Sequence, residues 1–548
     1  MTRLFARSIL CAAILASSLT VAAAQNSTTV VNSVNQRQDD GSTLLQWAVY
    51  NGDVTEVQRL LKAGANVSLA NNYGVTAMEL AAEVANTPIL KLLLDAGANV
   101  DSPNPEGQTA LMAVARTDNV EAAQLLLDRG AKVDAKEKWG GQTALMWASA
   151  RRHPKMMELL ISRGANVNAR STARDYQRHV QAEGRPKNLD SGGLTSLHYA
   201  ARENCGACID VLLRNKVDMN LPDPDGVTPL LVAIMNSNWD RAKQLIEAGA
   251  DVNQWDVFGE SPLFNAVGQR SQLSGGKGAN DPLNQTTGLQ IVKMLLERGA
   301  NPNMQLFFRP ANLNGAFNTR GATPLIRAVS ANDTEVVKLL LQNGADAAIN
   351  MADRQTPIMA AIAGRGSEAQ VLEMITLLHD AGADVNSIAL VVHREDSRGG
   401  TALHYATRKR YKEVIKKLAS WGIDMNAKDQ DGLTALDYTQ SRGYMAFMAL
   451  QTPVYGDVAT VLRELGATVE FKGTPDWPIL GPPVGPCEPS GGKCLGPYRP
   501  FPQGRLLREW FPVSAASLPK IASPYLTGRC CARTRPISRP GGLRSHRS

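Results

Sequence analysis

Aromatic residues make up 5% of this 548-residue chain, and histidine and cysteine occur seven times each. So few rings argue against a large mixed core and for small helices packed closely. The supply of metal and acid–base ligands is equally thin. No HExxH, GxSxG or CxxCH occurs, and Gly275-Gly276-Lys277 and Gly491-Gly492-Lys493 lack the spacing of a phosphate loop. No catalytic residue, cofactor or metal site is therefore expected, and the chain does not read as an enzyme. Long apolar runs are also missing. Beyond the N-terminal segment nothing reaches the ~18 consecutive apolar residues of a membrane span.

That N-terminal segment reads as a secretory signal over residues 1–24. Arg3 and Arg7 precede an apolar stretch from Ser8 to Val21, and Ala22-Ala23-Ala24 supplies small residues ahead of Gln25. The expectation is export, to a periplasm or the exterior, with a linker over 25–40. The formal charge of +7 is unevenly spread: from Gly473 onward there are 11 Lys/Arg against 3 Asp/Glu. This Pro-, Gly- and Arg-rich segment, 471–548, is expected to be disordered. It reads either as a weak anion binder or as an out-of-frame extension.

Between these ends one pattern returns. A Gly or polar residue precedes x-Thr-Ala/Pro-Leu, and a helical stretch then closes on Leu-Leu-x-x-Gly-Ala-Asn/Asp-Val-Asn/Asp. Its hydroxyl residues are Thr43, Thr76, Thr109, Thr143, Thr195, Thr228, Ser261, Thr323, Thr356, Thr401 and Thr434, and six of the ten intervals are 33 residues. Thr or Ser at a helix start accepts a hydrogen bond from a free N–H. Pro229, Pro262, Pro324 and Pro357 suit the first helical position, where a missing N–H costs nothing. Ala48, Ala81, Ala148 and Ala200 let helices approach. Glycines such as Gly64 and Gly97 close the second helix in a left-handed conformation, with Asn215 expected in that role in repeat five.

Thr195-Ser196-Leu197-His198-Tyr199-Ala200 and Thr401-Ala402-Leu403-His404-Tyr405-Ala406 resemble the ankyrin motif Thr-Pro-Leu-His-x-Ala. The resemblance covers about residues 41–470, or eleven repeats. It implies an all-α solenoid of antiparallel helix pairs with projecting β-turn fingers, whose concave side binds another protein. The layout looks like that of exported bacterial ankyrin-repeat proteins. The motif His is structural in that family, and its loss from most repeats implies weaker local bonding. A monomer is expected, with no specific nucleic-acid partner.

The family's usual contact positions flank the finger glycine. They place Tyr73, Val75, Glu106, Trp139, Gln142, Phe258 and Glu260 on the binding side. Insertions add to this surface. The finger after Gly164 is 19 residues longer than the one after Gly64 and holds Arg174 and Tyr176, and the finger after Gly299 carries Phe307 and Phe308. A rim of long fingers reads as a recognition surface, although Phe307 and Phe308 read more readily as packing back on the stack. The competing reading is tolerated insertion, because loop-closure entropy grows slowly with length.

Cys205-Gly206-Ala207-Cys208 is a CxxC placed at the start of a second helix. A helix N-terminus lowers a thiol pKa, so a redox-active or metal-binding accessory role is the alternative to a scaffold. No βαβ pattern surrounds it, and a local disulfide or two packed thiols is the plainer reading.

Overall fold

Each repeat hydroxyl becomes a helix N-cap. The computed structural model describes residues 34–173, 192–271, 284–307, 321–390, 399–430, 432–440 and 455–468. Among these residues there are 22 helices in eleven pairs and isolated β-bridges in place of strands. The first members are α1 (Leu44–Tyr50), α3 (Ala77–Glu83), α5 (Ala110–Ala115), α7 (Ala144–Ala150), α9 (Ser196–Arg202), α11 (Pro229–Met235), α13 (Pro262–Arg270), α15 (Pro324–Ser330), α17 (Pro357–Ala363), α19 (Ala402–Lys409) and α21 (Ala435–Gln440). The second members are α2 (Val54–Lys62), α4 (Thr87–Asp95), α6 (Val120–Asp128), α8 (Pro154–Ser162), α10 (Gly206–Arg214), α12 (Trp239–Glu247), α14 (Gly288–Glu297), α16 (Thr334–Gln342), α18 (Glu368–Asp380), α20 (Lys412–Ser420) and α22 (Gly456–Glu464).

First helices are short, with seven residues in α1 and six in α5. Helices this short are marginal alone and need their buried face for stability. First helices pack in chain order from α1 to α21, and second helices do so from α2 to α16 and from α18 to α22. Ala81, Ala148 and Ala200 are fully buried between them, and Leu60, Leu93, Leu126 and Leu160 line the buried side of the second helices. Burying a leucine of this kind stabilises by ~1.5–3 kcal/mol.

A second ladder runs through the motif's last Asn or Asp. Asp101 Oδ1 accepts the Lys132 N–H at 2.9 Å, Asn220 Oδ1 that of Asp251 at 2.8 Å, and Asn303 Oδ1 that of Asp346 at 2.8 Å. Each bond ties one repeat to the next. At two repeats the position holds Ser68 and Ala348, which cannot reach.

Two expectations need correction. Asn215 does not take the left-handed conformation. It is the C-cap at φ −99°, its amide donates to the Val211 carbonyl at 2.7 Å, and Lys216 at φ +56° makes the turn. The register places the left-handed residue one position after the C-cap, where the other repeats hold glycine. Nor does loss of the motif His always weaken local bonding. In repeat one Gln46 replaces it as both acceptor and donor.

Candidate interaction surface

The fingers are held from within. At the base of several sits an acid or amide whose oxygen accepts backbone N–H groups from the tip, an arrangement that fixes a turn. Asn71 Oδ1 accepts from Tyr73 and Val75, both at 3.0 Å, and Asp223 Oδ1 accepts from Asp225 at 2.9 Å and Val227 at 2.8 Å. Asp256 Oδ1 accepts from Phe258 and Glu260, both at 2.9 Å. Neighbouring fingers are bonded too: Asn72 N–H donates to Asp40 O at 3.0 Å and Lys138 N–H to Glu106 O at 2.8 Å. Burial, reinforced by the charge of Glu260, pushes the Asp256 carboxyl up to about 7.

On this frame the expected contact residues divide. Tyr73 and Trp139 are 71% and 66% exposed at finger tips, and Glu106 is exposed between them. Val75 and Phe258 are half-buried, beside an exposed Val257. Gln142 is committed inward, donating from Nε2 to the Tyr199 hydroxyl at 2.6 Å. Glu260 is buried. Phe307 folds back on the stack: its N–H donates to Phe258 O at 2.9 Å, and its ring meets Trp255 edge-on at 6.2 Å. Arg174, Tyr176 and Phe308 lie outside the described residues, as do the N-terminal segment and the tail.

Cys205 and Cys208 are joined by a disulfide across a Cα–Cα distance of 5.3 Å, with Cys208 fully buried. Cys205 is the N-cap of α10. A side chain at Gly206 would collide with the Arg241 guanidinium, which occupies that space. Among the described residues no group of His, Cys, Asp or Glu could hold a metal ion, and no helix is long and apolar enough to cross a membrane. A cavity of about 760 Å³ opens between α12 and α14, on the second-helix side, lined by both charge signs, including Asp240, Lys243 and Glu297.

The exposed side of the first helices carries a feature that motif reading passed over. Guanidiniums lie over aromatic rings along the row: Arg116 over Trp147 at 5.5 Å, Arg202 over Tyr199 at 4.9 Å and Arg408 over Tyr405 at 4.6 Å. The signal was in the sequence, as an aromatic four residues after the capping Thr and an Arg seven after it.

Capped helix pairs stacked in order, joined by rigid projecting turns, define a repeat scaffold whose chemistry is that of a surface. The chain belongs to the ankyrin-repeat family: a family model of ankyrin repeats in three copies matches residues 19–104, 81–171, 197–306, 283–389 and 325–429. Such repeats generally mediate protein–protein interaction. Among similar proteins, the B-cell lymphoma 3 protein homolog of Mus musculus is 29% identical over 187 residues, 33% of this chain and 35% of that protein. E3 ubiquitin-protein ligase KEG of Arabidopsis thaliana is 24% identical over 310 residues, 54% of this chain and 17% of that protein. An ankyrin repeat, SAM and basic leucine zipper domain-containing protein 1 of Dasypus novemcinctus is 35% identical over 140 residues, a quarter of each chain. The chain thus spans about a third or less of the length of these relatives.

Proposed function

We propose that this chain is an exported scaffold that captures a protein partner across its finger tips and the exposed side of its first helices. The observation that carries this reading is Tyr73 and Trp139, both largely exposed on fingers whose backbones are internally bonded. Exposed aromatics on a rigid frame make good anchors, because little entropy is lost when they are buried by a partner. Export is supported by the arginines, apolar stretch and alanines of residues 1–24, and by a disulfide of the kind that persists in oxidising compartments.

The test is site-directed photocrosslinking. Benzoylphenylalanine at position 73 or 139 should trap the same discrete partner from an envelope fraction, and the probe at position 155, on α8, should not. Equal capture from all three positions would overturn the reading. Export is checked separately: the mature chain should begin at Gln25 outside the cytoplasm, and an intact N-terminus in the cytosol would refute it.

A further inference from the structure

Charge in this array is partitioned by helix layer. Between each capping Thr or Ser and the N-cap of the following helix, the described residues hold ten Lys/Arg against five Asp/Glu, a net +5. Counted likewise through their C-caps, which include Arg129, Arg163 and Arg298, the second helices hold 16 Lys/Arg against 16 Asp/Glu, a net zero. The excess cations gather where the first helices end and turn, at Arg116, Arg151, Arg152, Arg202, Lys409 and Arg410. Arg151 and Arg152 are exposed and form no ion pair among the described residues.

Helix-end electrostatics does not account for this. A helix C-terminus favours cations wherever it lies. Yet at the second helices the C-cap arginines Arg129 and Arg163 are paired with Asp95 and Asp128 of the preceding repeat, whereas Arg151 and Arg152 at the end of a first helix are not paired among the described residues. The arginines are also held in place, as Arg116 is by Trp147 and by its ion pair with Glu83, and Arg202 by Tyr199 and by Glu203. Pre-positioned guanidiniums match carboxylates in bidentate geometry and lose less entropy on engagement.

We propose that this ridge is the docking track for an acidic, extended polypeptide segment of the partner. The inference rests on the protein-binding reading above and names the partner's chemistry. Packed helix layers advance by ~8–10 Å per repeat. Three residues of an extended polyproline II segment advance by ~9 Å and bring the side chain back to the same face. A segment with a carboxylate at every third residue therefore keeps step with the ridge. A long nucleic acid or an anionic bilayer fits less well. Residues 34–468 as a whole carry 44 Lys/Arg against 47 Asp/Glu, so the attraction is local to the ridge. A polyanion with a charge every ~1.7 Å extends far beyond it and meets net repulsion.

The test uses the full chain and a fluorescein-labelled 15-residue Gly/Ser peptide with Glu at every third position and one benzoylphenylalanine. Anisotropy should show binding at low salt that weakens as salt rises, and crosslinks should fall within residues 110–118, 144–152, 196–204 and 402–410. Arg151→Glu combined with Lys409→Glu should weaken binding at least tenfold, while Lys155→Glu, on α8, should change it less than twofold. Circular dichroism checks that each variant is folded. Crosslinks confined to the basic tail, an equal loss with Lys155→Glu, or tighter binding of a 15-nucleotide oligothymidylate would each overturn the proposal. If a partner trapped through positions 73 and 139 is not displaced by this peptide and binds independently of salt, the scaffold reading stands and the acidic track falls.

Discussion

Gln46 Nε2 donates to the Val75 carbonyl at 2.7 Å, the bond that His198 Nε2 makes to the Val227 carbonyl at 3.0 Å. Both residues sit three positions after their capping Thr, and both also accept that Thr's backbone N–H, through Gln46 Oε1 at 2.7 Å and His198 Nδ1 at 3.2 Å. One side chain thus closes its own helix start and fastens the next finger. A neutral amide and a neutral imidazole serve equally, because each presents one acceptor and one donor.

Glu79 occupies this position in repeat two. Its Oε2 accepts the Thr76 N–H at 2.9 Å, but Oε1 is buried with no partner among the described residues. Burial first, and the nearby Glu83 charge after it, push its carboxyl up to about 7 against the Thr76 bond. The folded pKa lies above the unfolded one. The protonated group's contribution is therefore complete below the unfolded value of 4.5 and is lost as pH rises through about 7. Glu79→Gln should leave stability near pH 4 almost unchanged and raise it by about 1–2 kcal/mol at pH 8. Urea titrations of both chains across pH check this, and a constant difference at all pH values would refute it.

Ala348→Asn should restore a missing rung. The Asn303 side chain bonds the Asp346 N–H of the next repeat, but Ala348 offers nothing to Asp384, one repeat further on. The added bond should stabilise by about 0.5–1 kcal/mol. Urea titrations would resolve this better than thermal melts, where the rise should be about one degree in so long an array, and no change would mean that the side chain is not directed as Asn303 is.

Tyr73→Ala and Trp139→Ala remove exposed rings and should scarcely move the melting temperature. Each should weaken partner binding by about 1–2 kcal/mol, roughly tenfold. A large loss of stability with intact binding would recast these rings as finger packing.

Replacing both Cys205 and Cys208 with Ser should lower stability by about 1–2 kcal/mol, the expectation for a very short loop, and leave partner binding intact. Cys205 accepts the Cys208 N–H at 3.2 Å, so after mild reduction the two thiols deserve separate alkylation rates. Rapid alkylation of Cys205 near pH 6 would favour a redox role over a staple.

The repeat itself was determined by the sequence alone. Thr caps, prolines at the first helical turn, buried alanines and closing glycines act within a few residues of one another, so spacing predicts them. Finger position singled out Tyr73 and Trp139 together with Gln142, Phe258 and Glu260, and only the fold separated the exposed rings from the inward side chains. Tertiary structure decided what happened between repeats. Gln142 and Tyr199 are 57 residues apart and meet only because a long insertion leaves their repeats adjacent. Whether Phe307 projects or packs back on the stack was open in the sequence, and Trp255 and the Phe258 backbone draw it inward. The basic patch of repeats three to five is the same kind of fact: Arg116, Arg151 and Arg202, 35 residues or more apart in the chain, come together only when the stack sets their helix ends side by side.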